Sequence, residues 1–256
     1  MQLVVSIRKD RMGEGNGKKR GRGRPRRDGS SSGNQRSEII SAALEQFKTQ
    51  GYTATSMSSI ARSAGLDQSS IYYWFSSKDD ILLEAVEGNE AFLRSVPDID
   101  MSPGHSPELL YAVIYADTLT MCRMPFDYYM IEDVASGQPG RFSDFESRIQ
   151  ELVHTVRQII EDGIADGSFI ECDAAFEALA TLSIGEGVQH GLHTPRHLDL
   201  FSEFAIDPSA LDLSKAADTA ASAAVGRLLA QGNVADVRSR AHELGLVEEP
   251  ADRGTA

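Results

Sequence analysis

The sequence predicts an all-α protein in which a three-helix helix-turn-helix unit precedes a larger helical domain. Apolar residues recur at the 3.6-residue period of a helix wherever the sequence is periodic, and no alternating pattern of useful length for a strand occurs. Near the N-terminus, a glycine separates two short helical segments, which is the arrangement of a helix-turn-helix. The 256 residues suffice for one large domain or two small ones, each with a buried core.

Charge is divided between the first 36 residues and the rest of the chain. Residues 1–36 hold 11 lysines and arginines against three acids, a net of +8, whereas residues 37–256 carry a net of −21. The basic residues concentrate in GKKRGRGRPRRDG at 17–29, which lacks the aliphatic side chains that would offset the entropy lost on folding. Residues 1–36 are therefore predicted to form a disordered basic arm.

The helix-turn-helix unit is predicted over residues 37–83. Its first helix begins at Ser37 and ends at Gly51, since glycine accepts the left-handed conformation beyond a helix. The apolar face of this helix consists of Ile40, Ala43, Leu44 and Phe47. A second helix of about ten residues follows from the same spacing. Its apolar residues are Met57, Ile60, Ala61 and Ala64, and Gly65 then permits a sharp turn.

The third helix is predicted to follow Asp67, whose side chain would cap its N-terminus. Ile71 and Phe75 face the core, which leaves polar and aromatic side chains on the other faces. These residues are Gln68, Ser69, Ser70, Tyr72 and Tyr73. A fourth helix is predicted to be capped by Ser77 and to extend to about Arg94. From this pattern alone, a small helical bundle with an inert surface is an alternative to a DNA-binding unit.

The stretch TSMSSIARSAGLDQSSIYYWFSSKDDIL at 55–82 resembles the DNA-binding domain of the TetR family of bacterial transcriptional regulators. The matching positions are Thr55, Ile60, Ala61, Ala64, Gly65, Leu66, Ser70, Ile71, Tyr72, Phe75 and Lys78. The resemblance implies a DNA-binding regulator, most often a repressor that binds an inverted-repeat operator as a homodimer. It also implies a small-molecule effector, bound by a variable helical domain, that releases the operator.

The resemblance assigns roles to individual side chains of the unit. It places Gln68, Ser69 and Ser70 toward base edges in the major groove, where glutamine can pair with adenine. It places Tyr72, Tyr73 and Lys78 toward phosphates, which fix the register of a protein on DNA. Ser58 is a further candidate contact, at a position where the family often has Arg or Lys. Trp74 likewise replaces a frequent His, so this unit carries little positive charge.

The basic arm is expected to supply the attraction to DNA, because residues 37–95 carry a net charge of −4. Its Arg22-Gly23-Arg24-Pro25 resembles the core of an AT-hook, which lies extended in a narrow A/T minor groove. Arg22, Arg24 and Arg26 are therefore candidate DNA contacts. One alternative is a basic tail that meets phosphates without sequence preference. For the whole chain, the alternatives are an architectural DNA-binding protein and a ligand-binding protein that no longer binds DNA.

Residues 84–232 are predicted to form a helical effector-binding and dimerisation domain, followed by a C-terminal helix and tail at 233–256. A capping box at Ser143 and Glu146 precedes a long amphipathic helix. By the resemblance, dimerising helices span residues 173–191 and 209–231. The second has small side chains that would let two helices approach closely, namely Ala217, Ala220, Ala221 and Ala224. Packing of this helix inside its own monomer is the alternative.

Several apolar and aromatic residues are candidates for the effector pocket, although each suits a hydrophobic core better. They are Tyr111, Tyr115, Met121, Met124, Phe126 and Tyr129. His190, His193 and His197 have no accompanying carboxylate pattern, so no metal site and no other cofactor is expected. The sequence contains no recognisable combination of a nucleophile, a base and oxyanion donors, so the protein is not expected to be an enzyme.

The remaining composition predicts a cytoplasmic protein without membrane contact. Two cysteines are too few for a disulfide framework. The initial run MQLVVSI is too short for a signal peptide, and no apolar run reaches the ~18 residues of a transmembrane helix.

Overall fold

The computed structural model describes residues 30–87, 104–194 and 212–247, in which ten helices and no strands occur. The first four helices are α1 (Ser30–Gln50), α2 (Met57–Ser63), α3 (Gln68–Trp74) and α4 (Lys78–Glu87). The others are α5 (Ser106–Cys122), α6 (Tyr128–Ser136), α7 (Ser143–Asp166), α8 (Ala174–His193), α9 (Leu213–Leu228) and α10 (Val234–Glu243). The predicted all-α fold with an N-terminal helix-turn-helix is confirmed.

Helices α1 to α4 form the head of the molecule. Gly65 turns the chain between α2 and α3 with a φ of 67°, a conformation that favours glycine. The core of the head contains Ile39, Ala43, Phe47, Ile60, Ile71, Ile81 and Leu82. The buried face of α1 is centred on Ile39, whereas the predicted Ile40 is half-buried. The apolar stripe of α1 is broad, and its packing against α2 and α4 decides which residues lie at its centre.

Helix α1 begins at Ser30, seven residues before the predicted start. Extending a formed helix adds one hydrogen bond for each residue fixed, so polar residues can continue it. The Arg36 guanidinium also ties this extension to α4 through an ion pair with Glu84 and to α3 through the Trp74 carbonyl, 3.3 Å away. Residues 30–36, which were predicted to belong to the disordered arm, are therefore helical. Residues 1–29, with Arg22, Arg24 and Arg26, lie outside the described residues.

The helix caps agree only in part with the prediction. Ser77 caps α4 as predicted, because the Asp80 N–H donates to its Oγ at 3.2 Å. Asp67 lies at the N-cap of α3, but its exposed side chain makes no capping hydrogen bond. The predicted capping box at Ser143 and Glu146 is absent, because Ser143 is already the first residue of α7 and the buried Phe142 is its N-cap, without a capping side chain.

The remaining helices form the body around α5, which is buried on nearly all sides. Helix α9 packs on α5 through its small residues, which are almost fully buried within one monomer. These are Ala217, Ala220, Ala221 and Ala224. The prediction that this face joins two subunits is therefore wrong, and the intramonomer alternative is correct. The small side chains let α9 pack closely against the bulky side chains of α5, and this contact lies within one subunit.

Helix α10 shares the core of the body, since Val237 and Ala241 are buried with Leu110 and Val225. The predicted boundary at residue 233 therefore does not separate α10 from the body. A second core joins the head to the body, because Phe142 and Phe145 of the body cluster with the head core. Within the described ranges, the helices are all too short or too polar to cross a membrane.

Candidate nucleic-acid interface

Helix α3 combines a buried face with an exposed polar face. Ile71 and Phe75 are buried in the head, and they fix the helix on α1 and α2. On the other side, Tyr72 is 51% exposed and Tyr73 is 80% exposed. Gln68 and Ser69 are also exposed, and Ser70 is half-buried. The two-turn helix therefore presents polar side chains without contributing them to the core.

The exposed face of α3 has the chemistry that DNA recognition requires. Gln68 is the first residue of α3, and the first residues of a recognition helix are those that reach base edges. Its amide donates and accepts hydrogen bonds, as a bidentate contact to adenine needs. Tyr72 and Tyr73 offer hydroxyl donors at the side of the helix, and the Tyr73 ring packs edge-on against Trp74 at 4.9 Å. These contacts remain predictions.

Helix α2 is held in place by a capping box that the sequence pattern did not predict. The Ser59 N–H donates to the Ser56 Oγ at 3.1 Å, and the Ser56 N–H donates to the Ser59 Oγ at 3.1 Å. Ser58 lies between them and is half-buried on the first turn. The signal for this cap was the run Ser56 to Ser59, because serine is a preferred N-cap residue.

The ammonium of Lys78 contacts backbone carbonyls of the head, and its predicted contact with a phosphate stays a prediction. Its ammonium donates to the Tyr52 carbonyl at 2.6 Å and to the Thr55 carbonyl at 3.1 Å. The same group lies 4.2 Å from the centroid of the Tyr52 ring. Partial burial lowers the pKa of this ammonium. Lys78 therefore fastens the turn between α1 and α2 to the start of α4, because the nearest acceptors are carbonyls of the head.

A polar network connects the start of α4 with the loop between α6 and α7. Asp79 accepts hydrogen bonds from the Tyr52 hydroxyl and from the Gln138 amide, the latter at 2.9 Å. Asp80 forms an ion pair with Arg141. Burial alone would raise the pKa of Asp80, but hydrogen bonds from Ser76 and Arg141 lower it below its usual range. The network fixes the head to the body next to the exposed helix α3.

Five of the six predicted effector residues are buried in two hydrophobic cores. Tyr111 and Tyr115 are buried in the core of the body, where the Tyr111 hydroxyl donates to Asp218 at 2.5 Å. Three others are buried in the second core, namely Met121, Met124 and Phe126. Tyr129 is exposed beside a groove. Core packing accounts for the burial of five of these side chains, and their assignment to an effector pocket stays a prediction.

The interior of the body contains a polar group that the sequence pattern did not predict. Asp117 of α5 and Arg148 of α7 form a buried ion pair. The buried Gln189 of α8 accepts from the Tyr128 N–H at 2.9 Å and donates to the Phe126 carbonyl at 2.8 Å. Arg148 follows the buried Phe145 by three residues on α7, and this charge on an apolar face was the available signal.

Glu186 of α8 lies near this interior group. Burial raises the pKa of Glu186 to about 7, and the nearby carboxylates of Glu132 and Asp117 act in the same direction. Gly185 precedes it, where an added Cβ would lie only 2.5 Å from the Thr118 Oγ1. Helices α5 and α8 therefore approach closely at this point. The polar interior between α5, α6, α7 and α8 is the candidate effector region.

The histidines of α8 make protein contacts. The His190 Nδ1 lies 2.8 Å from the Asp127 carboxylate, and its ring lies 4.9 Å from that of Tyr129. The His193 Nδ1 lies 3.0 Å from the Gln189 carbonyl. His197 falls outside the described residues. Among the described residues, no three His, Cys, Asp or Glu side chains converge as a metal site would require.

Residues 39–85 match the sequence model of a family described as bacterial regulatory proteins, tetR family. The chain is 25% identical over 145 residues to the uncharacterized HTH-type transcriptional regulator YfiR of Bacillus subtilis. This alignment covers 53% of this chain and 68% of YfiR. It is 26% identical over 139 residues to the HTH-type transcriptional repressor KstR2 of Mycolicibacterium smegmatis. This alignment covers 53% of this chain and 67% of KstR2.

Two solved structures have a similar fold. The structure of AmtR from Mycobacterium smegmatis aligns with 89% of this chain and 100% of its own, with a TM-score of 0.59 and 23% identity. The structure of SmeT in complex with triclosan aligns with 78% of this chain and 93% of its own, with a TM-score of 0.50 and 18% identity. At these identities, the structures establish a common fold.

Proposed function

We propose that this chain, which belongs to the TetR family of bacterial regulatory proteins, represses transcription by binding an inverted-repeat operator as a homodimer. A small-molecule effector bound in the body releases the operator. The observation that carries the proposal is the structure of α3. Ile71 and the C-cap residue Phe75 are buried, while Gln68, Tyr72 and Tyr73 are exposed and can meet DNA. The name of KstR2 as a repressor supports the direction of regulation.

A dimer is required because one two-turn helix reads too few base pairs for a specific site. Two heads related by a twofold axis would bind half-sites about 34 Å apart. Helix α8 offers the surface for this dimer. Phe176 and Leu179 are each 62% exposed, and Ser183 and Gly187 continue the same face. Large apolar side chains on one exposed face indicate an interface.

The effector shifts the equilibrium between dimer conformations that differ in the distance between the two heads. The size of this shift is limited by the difference in its affinity for those conformations. The polar interior of the body would recognise the effector through Asp117, Arg148 and Gln189. Gln138 and Arg141 would carry the change to α4. The complex of SmeT with triclosan supports a small-molecule effector in this fold.

The arm adds a contact outside the major groove. Its net charge of +8 over residues 1–36 offsets the acidic head and draws the protein to phosphates. Arg22, Arg24 and Arg26 would enter a minor groove beside the half-site, where narrow A/T tracts attract arginine.

The test is a competition measurement of DNA affinity. An operator fragment is selected from the source genome, and its binding is compared with that of random duplex at ~0.15 M salt. We expect a preference of roughly a thousandfold or more for the operator. Equal affinities would refute the regulator and favour an architectural protein acting through its arm. The variant Gln68→Ala should lose affinity for the operator and retain affinity for random duplex.

A further inference from the structure

A groove between α6 and the start of α7 combines an apolar floor with acidic walls. It has a volume of about 640 Å³. Its apolar lining consists of Tyr129, Ala135, Phe145 and Ile149. Its charged lining consists of Glu132, Asp133 and Glu146, and no basic residue lines it.

The acidic groove lacks a neutralising partner among the described residues. The ion pairs in that part of the chain include none with Glu132, Asp133 or Glu146. A second cavity, of about 370 Å³, differs in this respect because its buried Glu108 pairs with Arg240 at 3.2 Å. Burial raises the pKa of Glu132, although a hydrogen bond from Tyr128 opposes the shift. A cation in the acidic groove would therefore relieve an unfavourable charge.

We propose that the basic arm of this chain, residues 18–27, docks in the acidic groove of its own subunit when DNA is absent. The sequence KKRGRGRPRR supplies seven cationic side chains and three glycines or prolines, so an extended backbone can lie close to the groove. The aliphatic stems of arginine and lysine would cover the apolar floor, while their charged ends meet the carboxylates. Guanidinium groups can also stack on the exposed Tyr129 ring.

The start of α1 lies within reach of the groove. Arg36 of α1 pairs with Glu84 of α4, and Glu87 follows one turn later. The pKa of Glu87 is raised by burial and by nearby Asp144, which lies at the start of α7 and two residues before Glu146. The arm leaves α1 at Ser30, and ten extended residues span about 33–36 Å. Residues 18–27 can therefore reach the groove, and tethering gives them an effective concentration in the millimolar range.

Docking makes the groove a competitor of DNA for the arm. While the arm is docked, it cannot make weak, sequence-independent contacts with DNA. The phosphates of a bound operator attract the arm more strongly than the groove does, so the arm leaves the groove when the operator is bound. This property goes beyond operator recognition and does not depend on it.

The first test is zero-length carbodiimide coupling on the full chain without DNA. The reagent joins a lysine amine to a carboxylate in direct contact, and Lys18 and Lys19 supply the amines. We expect peptides linking them to Glu132, Asp133 or Glu146 in the species with the mass of one chain. High salt should abolish these links. Links scattered over carboxylates outside the groove would overturn the proposal, and so would links confined to species with the mass of two chains.

The second test measures how fast trypsin cleaves within residues 18–27 of the full chain. The groove variant combines Glu132→Gln, Asp133→Asn and Glu146→Gln. The control variant removes the same number of negative charges from exposed residues outside the groove. It combines Glu45→Gln, Glu171→Gln and Glu243→Gln. We expect cleavage about fivefold faster in the groove variant only, because protease acts on the undocked arm. Equal rates in the groove variant and the unmodified chain would overturn the proposal. Neither test uses operator DNA, so a failure of the docking proposal can be distinguished from a failure of the proposed operator binding.

Discussion

The variant Arg148→Met should strongly destabilise the body. Arg148 and Asp117 have side chains only 2% and 4% exposed, so removal of the guanidinium leaves a buried carboxylate without its cation. Loss of one partner from a buried pair costs about 3–5 kcal/mol of unfolding free energy. Methionine keeps much of the volume of the arginine stem, so the loss comes mainly from charge.

The assay is urea unfolding of the variant and the unmodified chain at several values of pH. Burial raises the pKa of Asp117, and Arg148 opposes this shift. Without Arg148, the pKa in the folded state rises further above the unfolded value of ~3.9. The folded state then binds more protons, so stability falls as pH rises. The destabilisation should be largest at pH values above the raised pKa of Asp117, and it should shrink as the pH falls through that pKa and the buried carboxyl takes up its proton.

Two controls separate charge from packing. Arg157→Met removes the partner of Glu161 in an exposed pair on the same helix, and it should cost less than about 1 kcal/mol. The double variant Arg148→Met with Asp117→Asn should lose the added pH dependence. A loss below about 1 kcal/mol for Arg148→Met at pH 7, or a loss that does not change with pH, would refute the reasoning.

Three further predictions concern base recognition, the basic arm and assembly. Gln68→Ala should weaken operator binding by about 1–3 kcal/mol in a fluorescence titration, with little change for random duplex, because it removes a base contact. Deletion of residues 1–29 should flatten the dependence of DNA affinity on salt by up to ~0.9 logarithmic units for each phosphate that the arm neutralises. An unchanged slope would show that the arm does not touch DNA. Replacing Phe176 and Leu179 by Asp should give monomers in sedimentation while helix content by circular dichroism is retained. A dimer that persists would place the interface elsewhere.

The helical period predicted the head well, because the core of a short bundle depends on local spacing. Ile71 and Phe75 lie four residues apart, and no long-range contact is needed to place them on one face. The caps were less predictable. Asp67 and Ser143 have suitable side chains, but the burial of neighbours decides where a helix starts, as Phe142 shows. The family resemblance assigned Lys78 to a phosphate. Its contacts with the Tyr52 and Thr55 carbonyls could not be predicted, because those residues lie 26 and 23 positions away in the sequence.

The body was harder to predict, since its contacts join distant segments. The alanines of α9 suit either a dimer seam or an intramonomer seam, and only the position of α5 decides between them. The candidate effector residues likewise suit both a pocket and a core. Arg148 and Asp117 are 31 residues apart, and neither sequence context indicates a partner. A single charge on an apolar face marks a buried polar group without showing what it contacts.

The contacts of α6 connect the candidate effector region to the head. At its start, the Tyr128 N–H is held by Gln189 of α8. After its end, Gln138 and Arg141 contact Asp79 and Asp80 at the start of α4. Because the second core also joins head and body side chains, α6 cannot shift without moving α4 or breaking these contacts. In the proposed effector mechanism, a ligand that displaced Gln189 from Tyr128 would act on the head through bonds at both ends of α6. Closely packed elements transmit such shifts because they switch between discrete arrangements.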